Sequence, residues 1–167
     1  MDKSFRVREI ESGSNAEIQL VATRMRQTLI EVLGEAAGGS MYTMDWLIRR
    51  VEWHLDPAAC TGQVFLALNG EDQIAGHTIV RLDVDFEEKP TGLFSTTYVD
   101  PEFRGKGLAR ALIAKGENWM IERGMNKAVT YTDPGNAPLL KLFESQGYRI
   151  IETRGEFAVV VKNLIGE

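Results

Sequence analysis

Apolar and polar residues alternate through residues 5–10, FRVREI, as they do along a half-buried strand. The turn cluster ESGSN follows, and the period then lengthens. Ile18, Val21, Met25, Leu29 and Val32 recur every three or four positions, the stripe of an amphipathic helix with Asn15 as its cap and Gly34 near its end. Gly38-Gly39-Ser40 breaks the chain. A second helix is expected over Thr43–Leu55, with Thr43 as cap, Met44, Leu47, Ile48 and Val51 on the buried side, and Asp56-Pro57 as the stop.

Alternation returns after residue 62. Gln63–Leu68 and Gln73–Leu82, joined by Asn69-Gly70-Glu71-Asp72, read as an antiparallel hairpin. A mobile acidic loop over residues 83–92 (DVDFEEKPTG) is expected to lead to a strand at Leu93–Val99. Helical periodicity covers Leu108–Arg123, with Leu108, Leu112 and Trp119 on its stripe and Gly124 at the C-terminal end. Lys127–Thr132 reads as a strand and Asn136–Gln146 as a helix ended by Gly147. Tyr148–Thr153 and Glu156–Val161 form a last hairpin around Arg154-Gly155. The order β-α-α-β-β-β-α-β-α-β-β describes a mixed α/β chain without internal repeats or linkers.

The 167 residues suit a single domain over 1–167, and 44% hydrophobic with 26% charged residues is ample for a core. No apolar run approaches the ~18 residues of a membrane helix, and the start MDKSFRVREI has no signal-peptide core, so no membrane partner is expected. A lone Cys60 cannot form an internal disulfide, which fits a reducing, cytoplasmic setting and excludes a cysteine-rich zinc module. No metal is expected. The net charge of −5 argues against nucleic acid as a partner. Against that background residues 103–115, FRGKGLARALIAK, carry Arg104, Lys106, Arg110 and Lys115 and no acidic residue. A positive island of this kind suits a small anion held at one place, or a solvated helix face that is basic.

That island sits where chemistry is expected. A strand ends at Val99, Asp100-Pro101-Glu102-Phe103 follows, and Arg104-Gly105-Lys106-Gly107-Leu108-Ala109 enters a helix. Glycines let backbone approach a ligand closely, and the first N–H groups of a helix lack intrahelical partners beside the positive end of its dipole. Together they make a pyrophosphate cradle. The P-loop pattern is absent, and the dinucleotide pattern G-x-G-x-x-G fails because Arg110 stands three after Gly107.

The segment Arg104–Ala109, R-x-x-G-x-A, preceded by V-D-P-E-F and a strand, resembles the acyl-CoA loop of the GNAT N-acetyltransferase superfamily. A second segment, Asn136 through Tyr148, is similar to the family pattern N-x-x-A-x-x-L-Y-x-x-x-G-F. The likeness is strong over about 63–161 and loose over the two N-terminal helices. It implies the GNAT fold, a mainly antiparallel sheet of six to seven strands flanked by about four helices. It further implies acetyl transfer from acetyl-CoA directly to the primary amine of a small molecule or peptide. Arg104, Gly105, Lys106, Gly107, Leu108 and Ala109 would hold the pyrophosphate. Backbone groups of Thr97, Tyr98 and Val99 would pair with the pantetheine arm in a slot between the fourth and fifth strands. A Thr97 N–H would meet the developing oxyanion, and Asn136 and Phe143 would stand on the other wall. Homodimers are common in the family.

Proton handling has several candidates among the residues. The family often has a tyrosine acid where this chain has Phe143, leaving Tyr148, Tyr131 and Ser145 as hydroxyl candidates, Tyr148 foremost. His77, on a strand, could accept the amine proton or be a buried residue with its hydrogen bonds met. His54 suits a cation at a helix C-terminus. Asp45 and Glu52 could wall the acceptor side or be solvated, and Trp46 and Trp53 suit core or interface. The acidic loop could attract a cationic acceptor. Cys60 has no evident base and suits a small loop residue. The same features also fit an acyl-CoA-binding regulatory module with little turnover.

Overall fold

The computed structural model describes residues 5–11, 13–34 and 42–165. Within them the elements are β1 (Arg6–Glu9), α1 (Asn15–Leu33), α2 (Met44–Leu55), β2 (Gly62–Leu68), β3 (Ile74–Val84), β4 (Pro90–Val99), a 3-10 turn (Pro101–Phe103), α3 (Leu108–Glu122), β5 (Lys127–Thr132), α4 (Ala137–Ser145), β6 (Arg149–Arg154) and β7 (Phe157–Asn163). The seven strands form one sheet in the order β1-β2-β3-β4-β5-β7-β6. The mixed, mainly antiparallel sheet and flanking helices expected from the sequence are present. Among the described residues no helix is long and apolar enough to cross a membrane.

Both faces of the sheet are covered. β2 shows why its apolar run is continuous rather than alternating. Phe65 and Ala67 join Phe94, Leu112, Met120 and Phe143 in a core beneath α3 and α4. Val64, Leu66 and Leu68 point the other way, into a core with Val21 of α1 and Leu47 and Val51 of α2. β6 lies at the free edge with every residue exposed.

Two local departures from the sequence reading have simple causes. Ser14, not Asn15, caps α1, because its hydroxyl accepts the Glu17 N–H at 3.3 Å. The expected acidic loop is mostly strand: β3 runs to Val84, β4 starts at Pro90, and a short turn joins them. The Asp85 carboxylate accepts the N–H groups of Glu87 and Lys89 at 2.8 and 2.9 Å and pairs with Lys127. The Gly38-Gly39-Ser40 break lies outside the described residues.

The sheet has one parallel pair, and it is incomplete. β4 pairs with β5 only from Gly92 to Phe94, against Ala128 to Thr130, although β4 continues to Val99. At the same point β4 bulges: Ile79 faces Thr96 and Val80 faces Phe94, leaving Ser95 as the extra residue. A bulge bends and twists its strand, so the last residues of β4 leave β5 behind. The Thr130 hydroxyl donates to the Phe94 carbonyl at 3.0 Å where the ladder ends.

Gly116 lets α3 lie close to this strand. A Cβ there would stand 2.4 Å from the Phe94 ring and 3.1 Å from Val80 Cγ1. Gly116→Val is expected to destabilise the fold by at least ~2 kcal/mol, in the upper part of the range for overpacked cores. An unshifted urea midpoint would contradict this packing.

Candidate active site

The N-terminus of α3 is built differently from the others. α1, α2 and α4 are capped by Ser14, Thr43 and Asn136 side chains, whereas α3 starts at Gly107 with no side-chain cap and no acid in its first turn. Its first N–H groups therefore remain available to an anion. Gly105 and Gly107 hold φ of 78° and 90°, and nothing lies within 4 Å of a Cβ built on either. Backbone conformation rather than crowding demands glycine here, and the space in front is open.

That space is a cavity of about 510 Å³. Thr97, Tyr98 and Val99 of β4 form its floor, the loop Arg104, Gly105, Gly107, Leu108 and Ala109 one end, and Asn136, Leu139 and Ser145 the α4 wall. Arg110 lines it too, as do Thr28, Glu31 and Val32 of α1. A second cavity of about 580 Å³ opens on the other side of the break between β4 and β5. The two share Thr28, Val32, Thr97, Asn136 and Leu139. The two cavities therefore adjoin at Thr97 and Asn136.

The model of the acetyltransferase (GNAT) family matches residues 22–148. The chain belongs to the GNAT family of acetyltransferases. Among curated relatives, a mycothiol acetyltransferase of Thermobispora bispora is 33% identical over 66% of this chain and 36% of its own length. One from Saccharomonospora viridis is 29% identical over 56% and 32%. The chain thus spans about a third of these relatives. Among solved structures, PaiA N-acetyltransferase from Thermoplasma acidophilum, in complex with coenzyme A, superposes with a TM-score of 0.73 at 14% identity, covering 96% of this chain and 99% of that one. A GCN5-related N-acetyltransferase from Kribbella flavida gives 0.72 at 18%, covering 96% and 98%. These neighbours share the GNAT fold.

Several residues singled out in the sequence fall elsewhere in this GNAT structure. Lys106 does not line the first cavity; its Nζ lies 5.7 Å from the Phe103 ring centroid. Arg104 lines it but is engaged, donating from Nε to the Val99 carbonyl at 2.7 Å and standing over Tyr98. It ties the loop to the end of β4. Asn136 accepts the Leu139 N–H at 3.3 Å, so its carbonyl caps α4 and its amide nitrogen stays free toward the cavities. Phe143 borders the second cavity rather than the first, packed edge-on against Phe94 and Tyr148.

The proposed acid and base need correction. Tyr148 is buried and borders neither cavity, and its hydroxyl donates to Glu117 at 2.7 Å. Burial, reinforced by the Glu117 charge, pushes its pKa well above the ordinary tyrosine value. His77 is fully buried, stacked on Tyr98, with Nε2 3.2 Å from Thr96 Oγ1 and Nδ1 unpartnered among the described residues. Burial, then the Arg24 charge, lowers its pKa to about 3. Neither side chain can exchange a proton with a substrate.

His54 is not a helix-end cation. Its Nδ1 donates to the Arg50 carbonyl at 2.8 Å, leaving Nε2 to accept the Ser95 hydroxyl at 2.8 Å. Burial, with Arg81 and Arg50 nearby, lowers its pKa to about 4. Cys60 donates weakly to the carbonyls of Trp53 and His54, and burial raises its pKa, which suits no nucleophile. Asp45 and Glu52 are exposed and line neither cavity, nor does any acidic residue of the β3–β4 turn.

The sequence reading missed most of the second cavity. Arg50 of α2, Arg81 of β3, Glu156 of the β6–β7 turn and Phe157 at the start of β7 line it, yet these elements are far apart in the chain and carry no local motif.

Both folded histidine values lie below the ~6.5 of a free imidazole, so unfolding takes up protons below that pH. Stability is expected to fall as pH drops from about 6.5, the loss continuing to about 4 for His54 and about 3 for His77. With two histidines in the chain, proton NMR should show two imidazole Cε1–H resonances, one per ring, that do not titrate between pH 8 and 5. A midpoint near 6.5 for either would contradict its burial.

Proposed function

We propose that this chain is an N-acetyltransferase domain, acting in the cytoplasm, that passes the acetyl group of acetyl-CoA directly to the primary amine of a small molecule or peptide. The observation that carries this reading is the meeting of the two cavities at Thr97 and Asn136 through the break in the β4–β5 ladder. One cavity has the shape and amides for the nucleotide and pantetheine, the other has room for an acceptor, and the reacting groups would meet at their junction.

Each part has a residue-level basis. The free N–H groups from Gly105 to Ala109 bind the diphosphate, aided by Arg110 and the dipole of α3. β4 beyond Phe94 offers backbone N–H and C=O groups with no strand partner on the β5 side, which the amides of the pantetheine arm can meet as an added strand would. An N–H near Thr97 then polarises the thioester carbonyl and stabilises the charge that develops on its oxygen. The Asn136 amide nitrogen holds the arm from the α4 side. Acetyl-CoA supplies the activated acetyl group: the neutral amine forms the new C–N bond as the thioester C–S bond breaks. Solvent takes the proton lost by the nitrogen and protonates the departing thiolate, an adequate leaving group near neutral pH. Phe143 in the place of the family tyrosine is compatible with that route.

Thiol release from acetyl-CoA, followed with a thiol-reactive dye across a panel of primary amines, tests the reaction. Turnover with at least one amine is expected; coenzyme A binding with silence across the panel would favour a regulatory acyl-CoA-binding module. Gly107→Glu places bulk, charge and a strained backbone in the cradle. It should weaken acetyl-CoA binding by at least ~100-fold, equivalent to about 2.7 kcal/mol, while the circular dichroism spectrum stays that of the wild type. Undiminished binding would overturn the site.

A further inference from the structure

The second cavity has a polarity that its position does not require. On the wall formed by α2 and β3, Arg50 and Arg81 place their guanidinium carbons 4.5 and 5.5 Å from the centroid of the same indole, Trp53. Arg81 is held by Ser95 at 3.0 Å and by Asp83 at 3.1 Å. Arg50 has no carboxylate partner among the described residues, and both burial and repulsion from Arg81 act against its charge. Two converging, half-buried cations with one counter-ion between them cost stability unless an anion joins them. Asp133, just after β5, and Glu156, in the β6–β7 turn, also line this cavity. Asp133 stands three residues before Asn136, whose N–H it accepts through its carbonyl at 2.9 Å, so an acidic residue adjoins the junction where the acceptor amine would arrive. Trp46, Tyr131 and Phe157 make the body of the cavity aromatic.

We propose that the second cavity selects an acceptor bearing both a primary amine and a carboxylate on an apolar or aromatic body, the carboxylate received by Arg50 with Arg81 and the amine presented toward Thr97. This specificity rests on the acetyl-transfer reading of the junction. Guanidinium groups suit a carboxylate because their planar donors engage both oxygens. A purely cationic amine, which the acidic β3–β4 turn suggests, would instead meet two positive charges.

The test uses a pair of product-like probes differing in one group, N-acetyl-phenylalanine and N-acetyl-phenethylamine, titrated into the full chain saturated with coenzyme A. The carboxylate-bearing probe is expected to bind at least ~10-fold more tightly to the wild type. Arg50→Ala should bring the two within about twofold by weakening the carboxylate probe alone, and Arg50→Lys should keep part of the preference because it restores charge without the planar fork. Equal binding of the probes, binding of neither, or a full preference retained in Arg50→Ala would overturn the proposal. The coenzyme A titration that precedes each measurement reports separately on the acetyl-transfer reading: lost coenzyme A affinity would sink that reading, while retained affinity with no carboxylate preference would sink only the acceptor class.

Discussion

The structure turns on a parallel strand pair that stops early. β4 and β5 exchange rungs only as far as Phe94 and Thr130, and the bulge at Ser95 turns the rest of β4 away. Unpaired backbone inside a protein is costly unless something satisfies it. A sheet that opens in its middle, between helices that cover both faces, therefore creates both a passage and a demand for hydrogen-bonding partners within it. α3 begins at the mouth of that passage with its N–H groups uncapped, and α4 forms the opposite wall through Asn136.

Packing fixes this opening in place. α3 lies on β4 through Gly116 and Phe94, so the loop from Arg104 to Gly107 is held at the end of the same strand that lines the passage. Arg104 reinforces the link through the Val99 carbonyl. The charge of this arginine, legible in the sequence as part of a phosphate site, is thus spent partly on geometry. In the proposed site, the binding of an anion rests more heavily on main-chain amides and on Arg110, which borders the cavity.

What the sequence revealed follows the range of the interactions involved. Turns, caps and glycines act over a few residues, so Thr43, Gly105, Gly107 and the strand Lys127–Thr132 could be placed from local pattern. The helix cap at Ser14 was missed by one position because Ser14 and Asn15 are both good caps and only the hydrogen bond to Glu17 decides between them. Burial depends on the whole fold. His77 and Tyr148 look reactive in the chain, yet one lies sealed beneath Tyr98 and the other is committed to Glu117. The acidic run after Leu82 looked like a loop because charge suggests exposure; cross-strand pairing from Leu82–Gly92 to Val84–Pro90 overrides it. The second cavity had no local signature, since Arg50, Arg81 and Glu156 come to line one space only after the sheet and α2 are assembled.

A crystal structure of the chain with coenzyme A tests the central claim most directly. The diphosphate should lie against the main-chain nitrogens between Gly105 and Ala109, with the pantetheine arm along Thr97–Val99 in the gap beside β5 and the sulfur near Thr97 and Asn136. Coenzyme A bound elsewhere, with that gap left to water, would contradict the account.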